Sequence, residues 1–159
     1  MKRQVDLGPF KQTIDDALPI RKASLSIFAS CIEKCAHVLD IKSFMPILAK
    51  ALDDVEDVQL QAHQIVITMC TRYPRDIVEA AASFVKPLEN TMNKKTSNKT
   101  GTELERALEW VKSALRVMLA ISRVNESMNC PEFAELVTRT KKIDSLASIM
   151  KEIDDNRDI

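Results

Sequence analysis

Apolar residues recur at helical spacing along this sequence, and the pattern starts again after a fixed interval. After Pro19 they line one face of a 3.6-residue helix, and such a face must be buried against another element. This first stripe consists of Ile20, Ser24, Ile27, Phe28, Cys31 and Cys35. Asp54 repeats Asp16 at an offset of 38 residues, and Val58 repeats Ile20 at the same offset. Arrays of stacked helical hairpins have a period of about 40 residues, so the sequence predicts such an array.

Turn signals divide the chain into about seven predicted helices. Their approximate ranges are 19–37, 41–52, 58–72, 74–89, 103–123, 131–141 and 143–153. Asp40 can cap the second helix, and Thr102 with Glu105 forms a capping box before the fifth. Pro46 falls within the second helix, where it either occupies the opening turn or bends the helix. Only two glycines and 4% aromatic residues are present, which disfavours a sandwich or barrel because those folds need many tight turns.

The predicted fold class is all-α: a right-handed α-solenoid of about three HEAT-type helical hairpins plus a terminal helix. An acidic turn, an arginine and an apolar helix open many repeats of that type, and residues 15–35 follow this order. No single hairpin can bury its own stripe, so neighbouring hairpins must stack. We expect one domain, 1–159, in which residues 1–6 and 154–159 are disordered and residues 7–14 end a helix of a preceding repeat.

Charge balance and hydropathy disfavour several functional classes. Lysine and arginine total 23 and aspartate and glutamate total 23, whereas nucleic-acid-binding domains are usually basic. No apolar run is long enough to span a membrane, and the N-terminal residues lack the apolar segment of a secretory signal. We therefore expect a protein of the cytoplasm and nucleus with reduced thiols, and neither nucleic acid nor membrane as a partner.

The sequence shows no constellation of catalytic or metal-binding residues. Cys31 and Cys35 lie four positions apart near His37, but a metal site needs two more ligands at compatible spacing. Cys31, Cys35 and Cys70 are instead expected to be small core residues. His63 lies beside an apolar stripe and is expected to be structural. We expect no catalytic residue, no cofactor and no metal.

The run 90–102, NTMNKKTSNKTGT, interrupts the helical pattern. It is polar and basic and contains four threonines, so it is predicted to project at about 91–102 as a mobile loop or a short β-hairpin. Loops of this length in compact domains are often functional, although a solvated insertion is the simpler alternative. Its lysines would supply positive charge to an acidic edge of a partner protein. The candidate partner-binding residues are Thr91, Asn93, Lys94, Lys95, Thr96, Asn98 and Lys99.

The turn before the first helix is assigned a structural role. Its residues are Gly8, Pro9, Phe10, Asp15, Asp16 and Arg21. Arg21 is expected to pair with Asp15 or Asp16, or with the acidic break at 53–57, and contact with a partner is the alternative.

Three ordered strings resemble a stretch near the C-terminus of the cullin-associated, neddylation-dissociated proteins, in their TATA-binding-protein-interacting type domain. These strings are LGPFKQTIDDALPIRKAS at 7–24, LDIKSF at 39–44 and VKPLENTM at 85–92. The resemblance weakens after Val124, and the family has glycine where this chain has Ala17. Members of that family are long HEAT solenoids, so the chain resembles their last three repeats.

The resemblance implies a non-catalytic role in the assembly and exchange of cullin–RING ubiquitin ligases. Members of the family wrap an unmodified cullin, and their C-terminal repeats sit against its N-terminal end, where the substrate-receptor adaptor also binds. A hairpin that projects from those repeats occupies part of the adaptor's site, and its position resembles residues 91–102. The implied partner is an un-neddylated cullin, bound in competition with the adaptor.

Other functions remain open at this point. The chain could be a HEAT-repeat fragment of another scaffold or of a transport receptor. It could instead be a small helical enzyme or metal-binding protein that uses Cys31, Cys35 and a histidine. Nucleic-acid binding through the lysine-rich loop is weakened by the neutral charge balance and by the absence of aromatic residues in that loop.

Overall fold

Helices occupy most of the chain, as the apolar spacing predicts. The computed structural model describes residues 2–7, 10–94, 98–125 and 130–155. It divides into two compact units, residues 1–39 and residues 40–159. Within the described ranges, no helix is both long enough and apolar enough to cross a membrane.

A β-hairpin opens the first unit. Strand β1 (Lys2–Leu7) pairs antiparallel with strand β2 (Phe10–Asp15) along the full length of both. The expectations of disorder over 1–6 and of a helix end over 7–14 are therefore wrong for residues 2–7 and 10–14. The pairing strands carry the β-branched residues Val5, Thr13 and Ile14, which favour extended backbone. Of the predicted turn residues, Phe10 begins β2, while Gly8 and Pro9 lie outside the described residues.

Helix α1 (Leu18–Lys34) begins beside an ion pair. Arg21 donates from Nη2 to Oδ2 of Asp15 at 2.9 Å, and Asp15 Oδ1 accepts from the backbone N–H of Ala17 at 3.2 Å. The hydrogen bond from Arg21 is the main reason that the pKa of Asp15 is lowered. Pro19 lies in the first turn of the helix, where its missing N–H leaves no bond unmade. Among the predicted partners of Arg21, it is Asp15 that the guanidinium contacts, and Asp16 lies exposed on the turn.

Helix α1 buries a different face from the predicted one. Its buried residues are Leu25, Phe28 and Ile32, of which only Phe28 belongs to the predicted stripe. Ile20 and Ile27 are instead 68% and 64% exposed. The predicted stripe and the buried residues both have helical spacing, because α1 carries apolar side chains on two adjoining faces. Periodicity alone cannot choose between them.

The buried face of α1 gives a shorter repeat than the predicted one. Its positions recur 37 residues later in helix α3 (Glu56–Arg72). The three equivalent pairs are Leu25 with Ala62, Phe28 with Ile65, and Ile32 with Met69. The predicted offset of 38 was anchored on Ile20, which is exposed although its counterpart Val58 is buried.

The second unit consists of helices arranged in two layers. Besides α3, they are α2 (Ile41–Ala51), α4 (Pro74–Met92), α5 (Gly101–Asn125), α6 (Pro131–Lys141) and α7 (Asp144–Asp155). Helices α2, α4 and α6 pack in one layer and α3, α5 and α7 in the other, and each helix also packs on its neighbours along the chain. This stacking of helical hairpins is the arrangement of a HEAT-type solenoid, so the predicted fold class is confirmed.

Helix α2 starts at a polar cap and contains a proline. The Asp40 carboxylate accepts from the backbone N–H of Ser43 at 3.3 Å, as the sequence predicts for an N-cap. Pro46 lies in the middle of the helix rather than in its opening turn, so it cannot donate to the carbonyl of Lys42. Lys42 also donates from Nζ to Oε2 of Glu79 on α4 at 3.0 Å, which joins two helices of one layer.

The α7 helix reaches further than expected at the end of the chain. Asp154 and Asp155, which were expected to be disordered, belong to α7. Residues 156–159 lie outside the described part of the chain.

The core of the second unit is built from large side chains on every helix. Its largest fully buried members are Leu48, Leu52, Met69, Ile77, Phe84, Leu88, Leu115, Met118, Ile121, Phe133 and Leu136. Phe84 and Phe133 come from α4 and α6, which share a layer. Helices α3, α4 and α5 supply seven of these eleven side chains.

Truncation of Phe84 tests this packing. Phe84→Ala is expected to lower the free energy of unfolding by about 3–5 kcal/mol, because it removes a fully buried ring and leaves a cavity. Ile47→Ala is the control, since Ile47 is 54% exposed on α2 and should cost less than about 1 kcal/mol. Urea unfolding followed by circular dichroism measures both. Equal losses in the two variants would contradict the assignment of Phe84 to the core.

Candidate partner-binding site

The candidate site lies where α4 ends and α5 begins. Met92 is the last residue of α4 and Gly101 the first of α5, so the predicted segment 91–102 overlaps both helices. Its described parts, 91–94 and 98–102, contain no strand, which leaves the loop alternative for those residues. Asn93, Lys94 and Asn98 are exposed, and Lys99 is half-buried. Lys95 and Thr96 lie outside the described residues.

Thr91 supports the segment from beneath and does not face solvent. It is fully buried in the last turn of α4. Its Oγ1 lies 3.1 Å from Oε1 of Gln59 and 3.2 Å from the carbonyl oxygen of Pro87. Thr91 therefore joins α4 to α3, and the exposed part of the candidate site begins at Asn93.

Gln59 joins the helices on both sides of the segment, α4 and α5, to α3. Its side-chain oxygen accepts from Thr91 Oγ1 at 3.1 Å and from Trp110 Nε1 at 2.7 Å. Thr91 stands at the end of α4, and Trp110 stands on α5, nine residues after the helix begins. Gln59 is itself buried on α3. One amide oxygen thus connects three helices directly under the loop.

Trp110 forms the platform on which the loop starts. The ammonium of Lys94 lies 3.2 Å from the centre of the Trp110 ring, in a cation–π contact. Partial burial is the main reason that the pKa of Lys94 is lowered, and the nearby carboxylates of Glu56 and Asp53 oppose that effect. Lys94 is therefore held in place over the ring, although its side chain stays largely exposed.

The far side of the loop is also restrained. Lys99 donates from Nζ to Oε1 of Glu103 at 2.9 Å, one turn further on in α5. Gly101, where α5 begins, has a φ of +57°, a conformation that glycine adopts without steric cost. A β-carbon at Gly101 would meet no atom within 4 Å, so only backbone strain opposes a larger residue there.

Acidic residues surround the base of the loop. Glu56 and Asp57, in the first turn of α3, face Arg106 on α5 at 2.7 Å and 3.9 Å respectively. The acidic break at 53–57 therefore pairs across the two helices with Arg106. Lys94 therefore lies near a group of side chains of both charges, Glu56, Asp57 and Arg106, at the base of the loop.

A second buried polar pair lies one helical turn along α3 from Gln59. His63 is fully buried, and its Nδ1 lies 2.9 Å from Oγ of Ser113 on α5. Its Nε2 has no hydrogen-bond partner among the described residues. Burial lowers the pKa of His63 to about 4, so the imidazole is neutral at physiological pH.

The cysteines divide into two classes. Cys70 and Cys130 are buried, and burial raises the pKa of the Cys70 thiol to about 12. Cys31 and Cys35 are only half-buried, which corrects the expectation that they belong to the core. No group of three or more histidine, cysteine, aspartate or glutamate side chains suited to a metal ion occurs in the described part of the chain.

The contacts that build the site were not predicted from the sequence. The loop lysines were identified by composition, but Gln59, Glu103 and Ser113 were not singled out. Gln59 and His63 are polar residues at buried positions of an otherwise apolar helix face. That spacing is a signal of a buried polar contact, although it does not identify the partners.

A profile of the family described as TATA-binding protein interacting (TIP20) matches residues 1–141. The chain is 28% identical over 152 residues to Cullin-associated NEDD8-dissociated protein 2 of Rattus norvegicus, covering 95% of this chain and 12% of that protein. It is 30% identical over 148 residues to Cullin-associated NEDD8-dissociated protein 1 of Dictyostelium discoideum, covering 92% and 12%. With the Arabidopsis thaliana protein 1 it shares 31% identity over 125 residues, 77% of this chain and 10% of that protein. The chain thus spans about one eighth of the length of these relatives.

The buried His63 makes stability depend on pH. Its pKa is about 4 in the folded chain and 6.5 in the unfolded chain, so the unfolded state binds the proton first as the pH falls. Stability is therefore expected to fall between pH 6.5 and 4, by about 2 kcal/mol between pH 7 and pH 5. Urea unfolding at the two pH values measures this loss.

Two variants isolate the contribution of His63. His63→Gln should remove most of the loss between pH 7 and pH 5. His37→Gln should retain it, because His37 is exposed. An unchanged pH dependence in His63→Gln would show that other groups carry the effect.

The hydrogen bond from Trp110 to Gln59 can be measured by a double-mutant cycle. Gln59→Leu is expected to cost about 1–3 kcal/mol, because it leaves the indole N–H of Trp110 without its acceptor. In a Trp110→Phe background the same substitution should cost about 1 kcal/mol less, since that donor is already gone. Gln64→Leu, at an exposed position of the same helix, is the control and should be near neutral. Equal costs of Gln59→Leu in the two backgrounds would contradict the coupling.

Proposed function

The chain belongs to the TATA-binding protein interacting (TIP20) family, and from this premise we propose that it is a non-catalytic module that binds an un-neddylated cullin. The relatives that it matches are named as cullin-associated and NEDD8-dissociated proteins. The two-layered stack of helices suits this role, because solenoids bind partners through extended surfaces rather than through a catalytic pocket. The proposed place of action is the cytoplasm and nucleus.

The proposed mechanism is competition with the substrate-receptor adaptor for the N-terminal region of the cullin. By occupying that region, the module would favour exchange of one adaptor for another in a cullin–RING ubiquitin ligase. No bond is made or broken in such a step. The rate of exchange depends on the concentrations of the two competing proteins and on their association and dissociation rates.

The observation that carries the proposal is the anchored base of the loop. Gln59 holds Thr91 and Trp110 together, and Trp110 in turn carries Lys94. A surface whose supporting side chains are already fixed loses less conformational entropy when it binds. The described ends of the segment, Lys94 and Lys99, are therefore held by side chains of α5.

The charges of the loop favour a partner edge that is acidic. Lys94 and Lys99 lie at its two ends, and Lys94 retains its exposure despite the contact with Trp110. Exposed charges at the edge of an interface act mainly on the association rate and make it sensitive to salt. We therefore assign these two lysines to steering, and the loop as a whole to blocking the adaptor.

Replacement of the loop tests the proposed competition. With residues 93–99 replaced by a Gly–Ser segment of equal length, the chain should fold normally but displace adaptor less well from an unmodified cullin N-terminal domain. The expected loss is about tenfold or more in the concentration needed for half displacement, equivalent to about 1.4 kcal/mol. A competition titration with labelled adaptor measures it, and circular dichroism verifies folding. Unchanged displacement would exclude the loop from the mechanism.

Charge reversal tests the steering role separately. Lys94→Glu with Lys99→Glu is expected to slow association with the cullin at low salt and to have a smaller effect at high salt. Lys86→Glu with Lys151→Glu carries the same change of charge at exposed positions of α4 and α7, outside the loop, and is the matched control. Equal slowing in both double variants would point to net charge rather than to the loop. Failure of the unaltered chain to bind any un-neddylated cullin would overturn the proposed function itself.

A further inference from the structure

Two half-exposed thiols lie one helical turn apart at the end of α1. Cys31 is in the last full turn, and Cys35 is the first residue beyond the helix. The backbone N–H of Cys35 donates to the carbonyl oxygen of Cys31 at 2.8 Å, so the two residues stand on the same side of the chain. No other pair of cysteines in the sequence is closer than 35 positions.

The geometry of this pair is compatible with a covalent link. Residues four apart on a helix have α-carbons about 6 Å apart, within the range that disulfides span, but their β-carbons, about 5–6 Å apart, must approach to about 4 Å for the bond to form. Cys35 has φ −145° and ψ 40°, so its backbone is already outside the helical conformation. Closing a link there disturbs only the terminal turn, whereas the same link in mid-helix would strain several backbone hydrogen bonds.

We propose that Cys31 and Cys35 form a thiol–disulfide pair that closes on exchange with a small disulfide such as glutathione disulfide. The thiolate of one cysteine attacks the glutathione disulfide and releases one glutathione. The second cysteine attacks the protein sulfur of the mixed disulfide and releases the other. In total the protein loses two protons and two electrons, and one glutathione disulfide becomes two glutathione molecules.

The other cysteines of the chain do not share these features. Cys70, on α3, and Cys130, just before α6, are both buried, and neither has a second cysteine within 30 positions. The thiol of Cys130 lies 3.5 Å from the carboxylate of Glu132. Reaction with a small disulfide requires access and a thiolate, so the exposed pair should react first and the buried thiols serve as internal controls.

The pair closes slowly at neutral pH. A hydrogen bond to the Cys31 side chain is the main cause that raises the pKa of Cys35, and partial burial adds to it. A raised pKa keeps Cys35 protonated at neutral pH and slows its attack. Closure therefore proceeds slowly at neutral pH and advances as the ratio of glutathione disulfide to glutathione rises.

The location of the pair gives the closure a structural consequence. Cys35 is followed by a short 3₁₀ turn, Ala36–Val38, and then by the boundary between the two units after Leu39. A disulfide between 31 and 35 would fix the backbone of the segment through which one unit continues into the other. This inference is independent of cullin binding and does not rest on the proposed function.

Mass spectrometry of the full chain tests the pair directly. Native protein is treated with glutathione disulfide, quenched with N-ethylmaleimide and digested with trypsin without reduction. Trypsin cuts after Lys22, Lys34 and Lys42, so the two cysteines fall in separate peptides, ASLSIFASCIEK and CAHVLDIK. The expected product is these two peptides joined, with a mass two hydrogens below their sum, and it should revert on treatment with dithiothreitol.

Variants make the outcome decisive. Cys31→Ser and Cys35→Ser should each abolish the joined peptides and leave the remaining thiol able to take up glutathione. Cys70→Ser with Cys130→Ser should form the joined peptides as the native sequence does. Two separate glutathione adducts at Cys31 and Cys35 in the native sequence, with no joined product, would overturn the proposal. A dominant disulfide to Cys70 or Cys130 would also overturn it.

Discussion

Two buried polar contacts on α3 determine how the helices around it meet. Gln59 and His63 lie one turn apart on the face that α3 buries, and they bond to Trp110 and Ser113 on α5. An apolar interface tolerates sliding, because one aliphatic side chain can replace another at similar cost. A buried hydrogen bond does not, since a shift by one turn would leave both partners unsatisfied at about 1–3 kcal/mol each. The contacts therefore fix the register of α5 on α3, and with it the position of everything that α5 carries.

The described residues at the two ends of the loop between α4 and α5 depend on that register for their position. Thr91, in the last turn of α4, bonds to the same amide oxygen that accepts from Trp110, so the end of α4 and the first half of α5 are fixed relative to each other. The result is a common arrangement in binding proteins, in which variable side chains are mounted on a rigid scaffold. The HEAT-type core supplies stability through apolar packing, and the polar contacts supply the orientation that a docking surface requires.

Much of this could be predicted from the sequence, and the exceptions have physical reasons. The helices and the Asp40 cap follow from periodicity and local chemistry, which are properties of short segments. The face that α1 buries could not be predicted, because Ile20 and Ile27 satisfy the same spacing as Leu25 and Ile32. The pairing of β1 with β2 was missed for a similar reason, since six-residue strands carry too little periodicity to identify. The partners of Gln59 and Lys94 depend on residues 51 and 16 positions away, which no local pattern relates to them.

Trp110 has an optical consequence that follows from its uniqueness. It is the only tryptophan in the chain, so all indole fluorescence originates beneath the loop. A nearby ammonium shifts and quenches that emission, and here Lys94 lies directly over the ring. Any partner whose binding moves Lys94 away from the ring changes the wavelength and the intensity of the emission. The molecule therefore carries a built-in reporter, without an added dye, at the position where docking is proposed.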